Sequence, residues 1–163
     1  MESDSALVKQ TLRGGHHHYG VLVHRYADYL FGLGMRLTRG DRALSEDLSQ
    51  QSFLKSYLYL KSFDLSKSYK HWLTGIALNC FKDLRRDQWE YVPLVEAEEP
   101  RFTPDLGSDD AFFELIRPLS SEERALVTLR YVYEYQVDEI AELMNLKPGT
   151  TKSKLSRALE KLR

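Results

Sequence analysis

Apolar residues recur along this chain at helical spacing, and nowhere with the two-residue alternation of a half-buried strand. Leu22, Tyr26, Leu30, Leu33 and Leu37 mark one long helix. A second begins at Gly40 or Asp41 and runs through Leu48, Phe53 and Tyr57. A short leading helix is predicted over residues 6–13, ended by Gly14 and Gly15. The clearest stripe of the first half lies over residues 69–88, where Tyr69, Trp72, Leu73, Ile76, Ala77, Cys80 and Leu84 share one face and make Cys80 a small core residue.

Periodicity lapses over residues 88–117, where Pro93, Pro100, Pro104 and Gly107 interrupt a run rich in Glu and Asp. This is read as a linker, with a short helix over residues 111–117 joining the C-terminal domain. Ser120 and Glu123 then have capping-box spacing ahead of Ala125, Leu126, Leu129 and Val132. Val137, Ile140, Ala141 and Met144 form an apolar stripe, and Asn145-Leu146-Lys147-Pro148-Gly149 makes a tight turn. Proline disfavours helix in the residue before it but suits a first helical turn, so a new helix starts near Pro148. Its inner face holds Thr151, Leu155, Ala158, Leu159 and Leu162. The expected fold is all-α: two small helical domains, residues 1–87 and 118–163, joined by an acidic, proline-containing linker over 88–117.

Charge sharpens this division. The net charge of −1 over 163 residues hides 13 basic against 9 acidic groups in residues 1–87, 2 against 8 in residues 88–118, and 8 against 7 in residues 119–163. From residue 147 onward six residues are basic and only Glu160 is acidic. The pair of helices over residues 137–163 therefore reads as a helix-turn-helix. Lys152, Ser153, Ser156 and Arg157 lie on the outer face of its second helix, where cations reach phosphates or guanine edges and small serines permit close approach to a major groove. On the helix over residues 69–88, His71, Gly75, Asn79, Lys82 and Arg86 form a second, polar and basic stripe with Arg85 beside it. Asn79 offers a donor and an acceptor to a base edge, and the cations hold phosphates next to it.

Other chemistries find little support. One cysteine excludes an internal disulfide, no apolar run is long enough for a membrane span, and no secretory leader opens the chain, so a cytoplasmic protein without membrane insertion is expected. No nucleophile with its base, glycine-rich phosphate loop or metal-ligand spacing appears, so neither an enzyme nor a metal or other cofactor is expected. His16, His17 and His18 stand between two helices as a turn; adjacent histidines in a loop seldom converge on one ion.

Taken together, the motifs resemble a bacterial RNA polymerase sigma factor of the extracytoplasmic-function group of the sigma-70 family, over nearly the whole chain. Residues 45–55 (SEDLSQQSFLK) are similar to its polymerase-binding helix, residues 71–79 (HWLTGIALN) and 83–86 (DLRR) to the helix that meets the minus-ten promoter element, and residues 139–143 (EIAEL) and 149–155 (GTTKSKL) to the minus-thirty-five reader. The resemblance implies a region 2-like and a region 4-like domain that bind core RNA polymerase and direct promoter-specific initiation. By it, Asp47, Gln50 and Gln51 face the clamp helices of the beta-prime subunit, with Lys55 at the edge. Gln51 replaces the family's usual Glu. The loop over residues 61–68 borders a pocket for an unstacked promoter base, with Phe63, Lys67 and Tyr69 supplying stacking and phosphate contacts. His71, Asn79, Lys82, Arg85 and Arg86 meet the minus-ten element, and Thr150, Lys152, Ser153, Lys154, Ser156 and Arg157 the minus-thirty-five element. An anti-sigma factor is implied as a further partner. The alternative is a free-standing helix-turn-helix regulator that never joins polymerase; it leaves the face over residues 47–55 and the first basic stripe without a role.

Overall fold

The computed structural model describes residues 1–90 and 108–162, and the side chains of residues 1–85 and 111–162. The linker expected over 88–117 thus falls in large part, at 91–107, outside the described residues, as do Arg163 and the side chain of Arg86. Among the described residues all regular structure is helical: α1 Asp4–Leu12, α2 His16–Leu37, α3 Arg42–Leu58, α4 Tyr69–Glu90, α5 Ser108–Leu115, α6 Ser121–Val127, α7 Val137–Met144 and α8 Pro148–Lys161.

Local chemistry sets most helix ends. The Ser3 hydroxyl caps α1 by accepting from the Ala6 N–H, and the Asp41 carboxylate caps α3 by accepting from the Leu44 N–H at 3.0 Å. Gly14, at φ +99°, turns the chain out of α1. The three histidines do not form the expected turn. They are the first residues of α2, which starts directly after Gly15, and the His16 ring nitrogen Nδ1 lies 2.8 Å from the Tyr57 hydroxyl.

The α3 helix presents a different face to the core than its apolar residues suggest. Ser45, Leu48, Ser52 and Ser56 are its buried residues, whereas Tyr57, expected inside, is exposed and Phe53 only half-buried. Small side chains let α3 lie close to α2. A Cβ added at Gly34 would stand 3.1 Å from the Ser45 Cβ and 3.2 Å from its Cα. The buried hydroxyls are satisfied locally: Ser45 donates to the Asp41 carbonyl at 2.7 Å and Ser52 to the Leu48 carbonyl at 2.6 Å, while Ser56 pairs with the Tyr69 hydroxyl at 2.8 Å. On α4 the predicted stripe is inside, with Tyr69, Leu73, Ala77 and Cys80 fully covered.

The second half starts with the expected capping box. Ser120 accepts from the Glu123 N–H at 3.2 Å, and the Glu123 carboxylate accepts from the Ser120 N–H at 3.0 Å. After α6 the chain widens into a π turn over Thr128–Val132, and Glu134 takes the left-handed conformation at φ +58°. Asn145, also left-handed, ends α7, and Pro148 opens α8 at its first turn. Thr151, Leu155 and Ala158 pack inward from α8.

The two halves share one continuous core. Arg124 of α6 is buried at their junction, where its Nε donates to the Leu37 carbonyl at the end of α2 (3.1 Å), Nη1 to the Leu119 carbonyl (3.2 Å) and Nη2 to the Ser121 hydroxyl (3.0 Å). Burial, with Arg85 and Arg39 nearby, pushes its guanidinium down to about 10, so it is still a cation at neutral pH. It offsets an otherwise unpaired helix-end carbonyl. Phe113 of α5 covers the α2–α3 turn, its ring 3.3 Å from where a Gly40 Cβ would stand.

Candidate nucleic-acid and polymerase interface

Three exposed faces carry the sequence-predicted residues. The first is on α3. Asp47, Gln50 and Gln51 are all exposed, as the inward rotation of the serine stripe requires. Leu54 and Leu58 continue the same face at i+7 and i+11 from Asp47 and are 59% and 65% exposed. Such large apolar side chains are placed in water at a free-energy cost unless something covers them, and an apolar centre with a polar rim is the usual make-up of a protein interface. Sequence reasoning misses these two leucines because leucine on a helix reads by default as core. Lys55 is at the edge of this face but turned toward α4, with its ammonium 3.7 Å from the Asp83 carboxylate.

The second face is on α4. Asn79 and Lys82 are exposed and His71 is half-buried, with its ring 5.7 Å from that of Tyr135. Arg85 is half-buried, its guanidinium 5.9 Å over the Phe81 ring, and burial lowers its proton affinity against the attraction of Asp41. The loop leading to α4 behaves differently from expectation at two positions. Phe63 is 6% exposed and Tyr69 1%, and their rings pack edge to face at 5.7 Å with Trp72 alongside. They belong to the core and have no surface on which a base can stack. An aromatic residue in a loop looks like a stacking platform in sequence, yet here the loop folds back, and the Phe63 ring packs on Tyr69 and Trp72 of α4 while the Tyr69 ring packs on Tyr26 of α2. Burial also pushes the Tyr69 hydroxyl up, so it stays a neutral hydrogen-bond partner of Ser56. Lys67 in the same loop is exposed.

The third face is the outer side of α8. Thr150, Lys152, Ser153, Ser156 and Arg157 are exposed together. Lys154 is not one of them: its ammonium is paired with the Glu122 carboxylate of α6. Lys161 pairs with Glu123 at 2.7 Å. These two ties fix α8 across α6 and leave the remaining cations to face outward. The three faces therefore combine an apolar–polar strip on α3 with two separate cationic helix faces, one from each half of the chain.

Comparison with known proteins matches this arrangement half by half. The family description Sigma-70 region 2 matches residues 22–91, and Sigma-70, region 4 matches residues 109–162. The chain belongs to the extracytoplasmic-function group of the sigma-70 family. Among similar proteins, the ECF RNA polymerase sigma factor SigW of Bacillus subtilis is 27% identical over 96% of this chain and 92% of its own length. The ECF RNA polymerase sigma-E factor of Haemophilus influenzae is 29% identical over 97% of this chain and 92% of its own. The fold is shared with the sigma factor RpoE in its complex with the anti-sigma factor NepR from Bartonella quintana (TM-score 0.70, 23% identity, 88% of this chain and 93% of that one). It is shared equally with CnrH in complex with the cytosolic domain of CnrY (TM-score 0.69, 21% identity, 99% and 95%). In this sigma factor, then, α2 to α4 carry region 2 and α5 to α8 carry region 4. Among the described residues no helix is long and apolar enough to cross a membrane, and no group of three or more His, Cys, Asp or Glu side chains could hold a metal ion.

Proposed function

We propose that this sigma factor works as a non-enzymatic specificity subunit of RNA polymerase in the cytoplasm, with residues 1–87 and 118–163 as its two recognition domains and 88–117 as the connection. The α3 strip of Asp47, Gln50 and Gln51, widened by Leu54 and Leu58, docks on the clamp helices of the beta-prime subunit. Asn79 and Lys82, with His71, Arg85 and Arg86, meet the minus-ten element, and Lys67 touches a phosphate beside it. Thr150, Lys152, Ser153, Ser156 and Arg157 enter the major groove at the minus-thirty-five element, while Lys154 holds the α8 helix at its angle. The carrying observation is the exposed apolar pair Leu54 and Leu58 beside polar residues on α3, a different helix from the two that carry the cationic faces. A free-standing helix-turn-helix regulator has no use for it. An anti-sigma factor is a further partner, as it is for the Bartonella quintana relative in fold.

Transcription in vitro tests the reading. Core polymerase with this chain is expected to initiate from a subset of a promoter library on which core alone is silent. Replacing Leu54 and Leu58 together by Ser is expected to abolish that initiation while leaving the fold intact by circular dichroism. DNA binding without any dependence of initiation on the chain would favour the free-standing regulator.

A further inference from the structure

The first helix takes no part in the polymerase and promoter contacts of the other helices, yet it is firmly built onto region 2. It lies outside residues 22–91, the stretch that matches the region 2 description. Leu7 and Val8 are buried, and Asp4 in its first turn holds two residues of α2 at once. One Asp4 oxygen accepts from Arg25 Nη1 at 2.6 Å, and the other accepts from the Tyr26 hydroxyl. Such charge-assisted bonds are short and directional, so they fix the start of α1 in one place. Ser5, the next residue, is thereby a fixed point. Its hydroxyl donates to the Leu65 carbonyl at 3.0 Å, 60 positions along the chain.

Leu65 belongs to the loop between α3 and α4, and the core secures both ends of that loop. Leu60 and Phe63 are buried on one side, and on the other Ser68 caps α4 by accepting from the His71 N–H at 3.1 Å. The tip is different. Residues 64–68 are all exposed, so hydrogen bonds more than burial hold it. Asp64 shapes the tip from within: Oδ1 accepts from the Ser66 N–H at 2.9 Å and from the Ser66 hydroxyl at 2.7 Å, and the Asp64 carbonyl accepts from the Lys67 N–H at 2.9 Å. The two Ser66 bonds also hold the Asp64 carboxyl below the usual carboxylate range, so the turn keeps its charged acceptor at neutral pH. These bonds set the shape of the turn and leave its direction open. Ser5 supplies the direction from outside the loop.

A second route runs from α1 to the same loop. The Tyr26 ring, whose hydroxyl Asp4 holds, lies 5.5 Å from the ring of Tyr69, and that ring lies 5.7 Å from the ring of Phe63. The helix also contacts the 3-10 turn over Leu60–Ser62. A loop already held in its bound shape loses less conformational freedom when a ligand reaches it, so binding there is stronger. The ligand of this loop, with Lys67 exposed at its tip, is the minus-ten DNA.

We propose that α1 is a positioning element for promoter opening: Ser5, fixed by the Asp4 anchor, orients the turn over residues 64–67 so that Lys67 meets the backbone of the opened minus-ten strand. The inference rests on the reading of Lys67 as a phosphate contact there. Ser5 touches no DNA and acts through the Leu65 carbonyl. Its effect therefore falls on strand opening and spares the duplex contacts of α8.

Two variants in the full chain test this. Ser5→Ala removes the donor at a helical position where alanine is the better helix former, so the fold is kept, and Ser5→Thr keeps a hydroxyl on the same carbon. In the free chain, amide hydrogen exchange at Ser66 and Lys67 is expected to quicken about fivefold in Ser5→Ala, the factor that one net hydrogen bond holds, with the buried turn at Leu7 and Val8 unchanged. With core polymerase on a promoter, permanganate reactivity of unpaired minus-ten thymines is expected to fall about fivefold, while protection of the minus-thirty-five element stays as in the parent. Ser5→Thr is expected to recover both readings. Unchanged exchange at Ser66 and Lys67, or unchanged thymine reactivity beside an active parent, overturns the positioning role and leaves the sigma-factor reading standing. Loss of upstream protection together with thymine reactivity, or no recovery in Ser5→Thr, makes Ser5 a general structural residue and overturns it as well. A parent chain that opens no promoter with core polymerase removes the sigma-factor reading and this role with it.

Discussion

At the residue scale, Asn79 and Lys82 stand side by side on α4 but are expected to do different work. The Asn79 amide can both donate and accept toward a base edge, whereas the Lys82 ammonium is a strongly hydrated point charge suited to phosphate. Asn79→Ala is therefore expected to change which base is preferred at the upstream part of the minus-ten element, read from a randomised promoter library. Lys82→Ala is expected to weaken all promoters alike and to lower the salt dependence of binding by about one unit of slope. An unchanged base preference in the Asn79 variant would make this side chain part of a solvated face. Residues that the sequence assigns correctly are those whose chemistry and helical phase agree, such as Cys80 in the core and Arg157 outside. Phe63 and Tyr69 are illegible because an aromatic ring suits a base pocket and a core equally, and only the return of their loop onto α4 decides. Lys55 and Lys154 look like free cations in sequence because their partners, Asp83 and Glu122, are distant along the chain.

At the element scale, the capping signals read well. Ser120 with Glu123 and Pro148 lie where their local rules put them, because capping depends on neighbours three residues away. The α3 helix is harder. Serines on its buried face carry no hydrophobic signal, so in sequence the phase of the helix is read from Leu48, Phe53 and Tyr57. Its true phase depends on the close approach of Gly34 to Ser45, a tertiary fact. Glu123 gives this scale its prediction. Burial raises its carboxyl, but the hydrogen bonds from Lys161 and from the Ser120 backbone and hydroxyl outweigh that, and the net shift is downward. The folded pKa thus lies below the unfolded value of about 4.3, so the stabilisation is complete above that value and is lost as pH falls through the lower, folded one. Urea unfolding between about pH 3 and pH 6 is expected to show stability declining with acid in the parent chain. Glu123→Gln should cost about 1 kcal/mol at neutral pH and flatten that decline, since the variant has no carboxyl to titrate. Parallel declines in the two proteins would remove Glu123 from the acid response.

At the scale of the whole molecule, both halves are legible in the sequence but their contact is not. Helical stripes report what each helix buries, and the second stripe of α4 reads as a solvent face whether it meets DNA, region 4 or water. Arg124 shows the limit most clearly: within α6 it looks like a surface cation, and only the fold brings the Leu37 carbonyl to it from 87 positions earlier in the chain. One chain is expected to carry both promoter readers, one in each half. Footprinting of the complex with core polymerase on a supercoiled promoter tests it most directly, comparing the parent chain with Lys152→Ala plus Arg157→Ala. The parent is expected to protect both elements and the variant the minus-ten element alone. Undiminished protection of the upstream element by the variant would contradict the assignment of α8 as its reader and, with it, the division of labour between the two halves.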